Sequence, residues 1–259
     1  MIRLKSTEEI EAIGRAGEIA AGVLALVARE ARPGVSTWEL DREAEAYIRD
    51  HEGATPAFKG LYGFPATLCT SLNEEVVHGI PSTERSLSSG DLLSVDVGVR
   101  LGDMYADAAE TIPIGEPSGE TRRLLEVTRE ALEAGIARTR VGARLGDVGA
   151  AIQEVVEAAG FSVIRELVGH GVGHAPHEEP QVPNYGRPGA GIVLEEGLVI
   201  AIEPMVNAGR RHIRTLDDGW TVVTADASMS AHYEHTVAVT QNGPRVLTRR
   251  RNADARKDG

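Results

Sequence analysis

Cysteine is almost missing from this chain: Cys69 is the single one in 259 residues. That excludes an intramolecular disulfide and points to a reducing compartment. Aromatics are scarce as well, ten in all (three Phe, five Tyr, two Trp). The longest apolar run, Ile19 to Ala28, is too short to cross a bilayer, which takes about 20 residues. Glu8, Glu9 and Glu11 interrupt the N-terminus, so no signal peptide is read there. An excess of positive charge is also lacking. With 27 Lys and Arg against 39 Asp and Glu, the net charge is −12. This argues against nonspecific nucleic-acid binding and suits a soluble, cytoplasmic protein that attracts cations. The acids are spread along the chain, so most of them belong to a solvated surface.

What is present falls into an order that occurs twice. Ser6-Thr7-Glu8-Glu9 and Ser36-Thr37-Trp38-Glu39 are capping boxes, each opening a helix. The first continues with Ile10, Ile13, Ala20, Leu24 and Val27 at near-helical spacing and ends at Arg32-Pro33-Gly34; the second ends near Gly53. An aromatic stretch, Phe58 to Phe64, and a short strand around Leu68 to Ser71 follow. Two runs separated by a turn then form a hairpin, Leu92 to Val99 and Met104 to Ala108. In the second half, helices over about Glu120 to Arg138 and Leu145 to Ala159 precede Gly197-Leu198-Val199-Ile200-Ala201-Ile202-Glu203. This run echoes Gly90-Asp91-Leu92-Leu93-Ser94-Val95-Asp96. A last strand, His232 to Val239, carries Glu234. No linker is evident. We expect one domain over residues 1–248 with internal pseudo-symmetry, and a basic, unstructured tail over 249–259.

The hairpin carries the first chemical signal. With Leu101-Gly102 at its tip, Arg100 faces Asp103, Gly98 faces Tyr105 and Asp96 faces Asp107, with Cβ atoms roughly 5 Å apart. Like charges directly opposite are destabilising, and a divalent cation between them removes that cost. Two related halves meeting at one sheet bring Asp96, Asp107, Glu203 and Glu234 together, and burying four acids without cations is very costly. A third element, Gly169-His170-Gly171-Val172-Gly173-His174-Ala175-Pro176-His177, is too rich in glycine for a helix. Its histidines are therefore not a helical H-E-x-x-H zinc pair. They are read as ligands, proton carriers or polar loop residues.

The motifs, in order, resemble the methionine aminopeptidases, specifically the short bacterial type I enzymes. The matching pieces are Asn73-Glu74-Glu75-Val76-Val77-His78-Gly79-Ile80-Pro81, Val95-Asp96-Val97 with Asp107 eleven residues on, and Gly169-His170-Gly171-Val172-Gly173. To these are added His177-Glu178-Glu179-Pro180, Ile202-Glu203-Pro204-Met205 and Glu234-His235-Thr236. Each alone is weak; the full set in order, from the first helix to about Leu247, is specific. The resemblance implies the pita-bread fold, an α+β architecture with a curved antiparallel sheet flanked by helices. It implies two divalent metal ions (Mn²⁺, Fe²⁺, Co²⁺ or Zn²⁺) on residues matching Asp96, Asp107, His170, Glu203 and Glu234, with Asp107 and Glu234 bridging. It implies hydrolytic release of an N-terminal methionine, with Glu203 as general base, His177 stabilising the tetrahedral intermediate and His78 contacting substrate. Read from its neighbours alone, His78 is a capped turn residue. Tyr62, Phe64, Cys69 and Trp220 match the methionine pocket, where sulfur–aromatic contacts suit a thioether. Phe58 is read as ordinary core packing, and Cys69 as a small wall residue with no partner base. Pro176, Ala108 and His174 depart from the family pattern without removing a ligand.

Two rival readings share the fold. One is an Xaa-Pro aminopeptidase or prolidase-like peptidase, which usually carries a separate N-terminal domain; here only 95 residues precede Asp96. The other is a non-catalytic peptide-binding protein, which should have lost ligands. A type II enzyme is disfavoured by the short His177-to-Glu203 interval. The expected partners are N-terminal Met peptides of nascent chains, with no membrane and no specific DNA, and a monomer is the default. Transient ribosome association rests only on the basic tail.

Overall fold

The computed structural model describes residues 2–249. Ser6 Oγ accepts from Glu9 N at 3.3 Å while Glu9 Oε2 accepts from Ser6 N at 2.8 Å. Ser36 and Glu39 repeat this at 3.2 and 2.8 Å. Both capping boxes thus open helices, α1 (Thr7–Glu30) and α2 (Thr37–Arg49). Each helix stops before its expected breaker. Ala31, the C-cap of α1, is already extended two residues ahead of Pro33, and Asp50 caps α2. Next come β1 (Ala54–Pro56), a 3₁₀ turn (Leu61–Gly63), β2 (Cys69–Leu72), β3 (Glu75–Val77), β4 (Leu92–Leu101) and β5 (Met104–Pro113). The second half begins with α3 (Gly119–Arg138) and α4 (Leu145–Ala158). It continues with β6 (Ser162–Val163), β7 (Gly169–Gly171), β8 (Glu178–Val182), β9 (Val199–Ile202), β10 (Met205–Asn207) and β11 (Ile213–Thr215). The last elements are β12 (Val222–Thr224), β13 (Ser230–His232), β14 (Glu234–Thr240) and β15 (Gly243–Val246).

Nine strands form one antiparallel sheet in the order β1-β4-β5-β14-β9-β7-β8, with β2 also on β4 and β15 also on β14. β14 is the seam between the halves. Its first residues, Glu234 and His235, pair with Ala109 and Ala108 of β5, and His235 to Ala238 pair with Ile202 to Val199 of β9. Each half packs its own helices on the sheet. Leu93, Val95, Val97 and Val99 of β4 are buried in one core with Ile13, Leu40 and Ile48 of α1 and α2. Ile200, Ile202, Val237 and Val239 are buried in a second core with Leu124, Ile152 and Val156 of α3 and α4. Side chains alternate along a strand, so the helix-covered residues of β4 leave Ser94, Asp96 and Gly98 on the opposite face.

The hairpin register differs from the one expected. Leu101 pairs with Met104, so the tip is Gly102–Asp103, and Asp96 faces Ala109 while Asp107 faces Gly98. Gly102 takes φ +60° at the first central position, the positive φ that two-residue hairpin loops favour. The offset is two residues, an even number, so both acids keep the same face and meet diagonally. Gly98 is required there: a Cβ would lie 2.6 Å from the Phe58 ring. Two further expectations are corrected. His170 lies on a short strand, β7, and not in a loop. The strand expected over His232 to Val239 is broken at Tyr233, because Ser230–His232 pairs with β10 in a separate three-stranded sheet. The expected tail beyond Arg249 lies outside the described residues.

Candidate metal centre and substrate cleft

Five consecutive strands of the main sheet, β4, β5, β14, β9 and β7, each deliver one polar side chain to a cavity of about 620 Å³. They are Asp96, Asp107, Glu234, Glu203 (immediately after β9) and His170. Ligand-type atoms of Asp96, Asp107 and Glu234 lie within 4.8 Å of one another, as do those of His170, Glu203 and Glu234, and those of Asp107, His170 and His177. His170 Nε2 is 3.5 Å from Glu203 Oε1 and 3.9 Å from Asp107 Oδ2. Its Nδ1 lies 2.9 Å from the Gly171 carbonyl. A carbonyl only accepts, so Nδ1 carries the proton and Nε2 turns its lone pair toward the acids.

The electrostatics of these groups follow from burial and crowding. Burial, then the charges of Asp107 and Glu203, push the Asp96 carboxyl well above its usual range. Burial raises Asp107 to about 7, against the hydrogen bond from Asp96 that lowers it. Glu203 and Glu234 are also held well up, by burial first and the Asp107 charge second. His170 is pulled down to about 4, chiefly by burial. Four carboxyls in one cavity cannot all ionise without positive charge among them. Asp96 Oδ1, Asp107 Oδ1 and Glu234 Oε1 are buried with no hydrogen-bond partner among the described residues. An orphaned acceptor of this kind is expensive, and a cation satisfies all three at once. The oxygen-rich set with one imidazole therefore fits divalent metal.

Supporting contacts hold the acids from behind. Thr236 Oγ1 accepts from Asp107 N at 3.0 Å and donates to Asp107 O at 2.8 Å. Asn184 Nδ2 donates to Glu203 O at 3.0 Å. His232 was not anticipated from sequence. It is buried, its backbone is locked to Thr111 Oγ1, and its Nε2 stands 3.8 Å from Glu203 Oε2. Burial, then His78, lowers its pKa to about 3, so the ring is neutral. Its spacing of two before Glu234 is the signal that could have found it, since alternation puts both on one side of the chain.

The walls of the cleft are apolar and aromatic. Phe58, Phe64, Ala66 and Cys69 form one buried cluster, with Trp220 packed against it. The Phe64 and Trp220 rings meet edge-on at 5.1 Å. Phe58, expected as core packing, is buried and lines the cavity too. Tyr62 stands 77% exposed at the mouth and stacks on His177 with centroids 6.1 Å apart. The His177 ring meets His170 edge-on at 4.5 Å. His78 takes φ +61° and lines the cavity, with its pKa lowered by burial and then by His177. Burial, with Asp96 and Asp107 behind it, pushes the Cys69 thiol well up, so it stays protonated. Leu167, Val168 and Gln181 also line the cavity and carry no sequence motif that marks them, whereas Met205 lines it from the Ile202-Glu203-Pro204-Met205 motif.

Comparisons with known proteins agree with this geometry. The model of metallopeptidase family M24 matches residues 11–241. The methionine aminopeptidase of Clostridium perfringens is 52% identical over 248 residues, covering 96% of this chain and 99% of that protein. Among solved structures, the methionine aminopeptidase of Thermotoga maritima superposes with a TM-score of 0.94 at 46% identity, covering 96% of this chain and 100% of that one. The prolidase of Pyrococcus horikoshii shares the fold at a TM-score of 0.77 and 24% identity, and this chain covers 64% of it. The chain thus belongs to metallopeptidase family M24, and within it to the methionine aminopeptidases.

Proposed function

We propose that this protein removes the N-terminal methionine of nascent chains whose second residue is small, by metal-assisted peptide hydrolysis in the cytoplasm, as a monomer. The observation that carries the reading is the set of three buried, partnerless carboxylate oxygens beside an apolar pocket with a thiol and aromatic walls. Asp96, Asp107, His170, Glu203 and Glu234 are assigned as ligands of two divalent ions, of the Mn²⁺, Fe²⁺, Co²⁺ or Zn²⁺ class. When bound, such ions polarise a scissile carbonyl and acidify water. Glu203 takes the proton of the attacking water and returns it to the leaving amine. His177, at the cavity mouth, donates a hydrogen bond to the oxygen that gains charge. His78, neutral in its buried setting, contacts the peptide beside the leaving amine. Phe64, Cys69, Tyr62 and Trp220 enclose the methionine side chain, each sulfur–aromatic contact contributing about 0.3–1.5 kcal/mol. Ribosome association would rest on the tail beyond the described residues.

The test is cleavage of Met-Ala-Ser, Met-Leu-Ser and Ala-Pro peptides by metal-loaded protein. Release of methionine from the first alone is expected. Preferential cleavage before proline, or metal binding without turnover, would overturn the proposal.

A further inference from the structure

We infer that Lys5, outside the cavity, is a positioning residue for His177 and acts through Glu178. The Lys5 side chain is fully buried at 0% exposure, and Nζ donates to Glu178 Oε2 at 2.6 Å and to Arg3 O at 2.9 Å. Burying an ammonium is costly, and an apolar pair of the same volume often fills such a place at least as well. What the ion pair adds is direction. Glu178 Oε2 meets Lys5, and Glu178 Oε1 accepts from the backbone N–H groups of His174 and Ala175 at 2.6 and 3.0 Å. One carboxylate therefore ties the segment ahead of α1 to the bend between β7 and β8, directly beside His177.

The segment ahead of α1 and the bend are each docked at a further point. Lys5 N donates to Gly197 O at 2.7 Å, and Tyr105 N donates to Gly173 O at 2.7 Å. A Cβ at Gly173 would lie 2.6 Å from Lys5 Cε, so the lysine stem lies directly on the bend's backbone. His174 Nε2 is 3.0 Å from Glu9 Oε1 at the start of α1 without a hydrogen bond between them, so that otherwise unexplained histidine packs against the same helix start. By contrast, no hydrogen bond to the His177 ring is formed among the described residues; it is held only by ring contacts with Tyr62 and His170. Its position is therefore set by the backbone that Glu178 holds. Burial pushes the Glu178 carboxyl up, but the hydrogen bond and charge of Lys5, with the Ala175 and His174 N–H groups, bring it below its usual value. It stays ionised at neutral pH.

The inference rests on the proposed role of His177 and is tested by a double-variant cycle on the metal-loaded, full-length enzyme. Lys5→Met should lower kcat about tenfold, the scale of a sub-ångström misplacement, with KM within about twofold. Amide protection at His174 and Ala175 should fall in hydrogen exchange, and Lys5→Arg should recover most of the rate. Lys5→Met added to His177→Ala should cost nothing further, because the two act on one group. If Lys5→Met fails to fold, Glu178→Gln serves in its place, since it keeps an acceptor for the two amides and removes the charge. Losses that multiply, or a Lys5→Met enzyme as fast as the parent, would overturn the inference and leave the His177 reading intact. An unchanged kcat in His177→Ala would overturn both.

Discussion

The two halves of the molecule bring acids to the same cavity by unlike routes. Asp96 and Asp107 sit on one continuous hairpin of two ten-residue strands, β4 and β5, whose register follows from a two-residue turn. Glu203 and Glu234 come from strands separated by β10 to β13, and they meet only because β9 pairs with β14. That ladder ends at the Ile202–His235 pair, one residue short of the two acids. The first pair is a local product of the chain; the second is a product of the finished fold. Loop closure over a long interval must be completed before any contact rewards it. A cation shared by both pairs therefore reports on the assembled molecule rather than on either half.

The sharpest way to separate the two pairs is by substitution. Glu203→Gln should reduce kcat by roughly 10²–10⁴, the range for loss of a general base, with little change in thermal midpoint. Asp96→Asn should act first on metal content, read by calorimetric titration. Near-normal turnover in Glu203→Gln would remove its role as base and make the two pairs equivalent.

A second effect, smaller and shared by all four acids, lies in pH. Asp107 titrates at about 7 in the fold against an ordinary 3.8, and Asp96, Glu203 and Glu234 are shifted in the same direction. The fold thus binds these protons more tightly than the unfolded chain does. In metal-free protein their contribution to stability is greatest below about pH 4 and declines as pH rises toward 7. Bound cations take the place of the protons. The gap in thermal midpoint between metal-loaded and chelated protein should therefore be wider at pH 8 than at pH 5, by calorimetry. An equal gap would show that the acids are ionised without help.

The helices make the same comparison at low amplitude. In the first half Ser36 caps α2 through a full capping box, so Ser36→Ala should cost about 1 kcal/mol in urea unfolding. In the second half Arg144 stands at the N-cap of α4 with no acceptor to offer, and only Asp147 returns a bond, to Arg144 N at 2.8 Å. Arg144→Ala should stay within about 0.5 kcal/mol.

The first half of the molecule is the more legible in sequence. The capping boxes at Ser6 and Ser36 and the acid-bearing hairpin are legible in neighbouring residues; the turn lies one residue later than the sequence suggests, which shifts the pairing by two, an even offset that preserves the face. Glu203 and Glu234 are marked by the repeated order of elements and not by anything near them, and His170 by the family resemblance. Its strand was hidden by the flanking glycines. Neither His232 nor Lys5 is marked in the sequence: lysine is ordinarily a surface residue and histidine only intermediate in burial, and it is the packed structure that buries both.

The five assigned ligands, Asp96, Asp107, His170, Glu203 and Glu234, draw on both halves, and an anomalous-scattering map from crystals grown with Mn²⁺ tests them together. Two peaks enclosed by these five side chains are predicted; a map with no peak in the cavity, or with metal held by one half's acids alone, would contradict it.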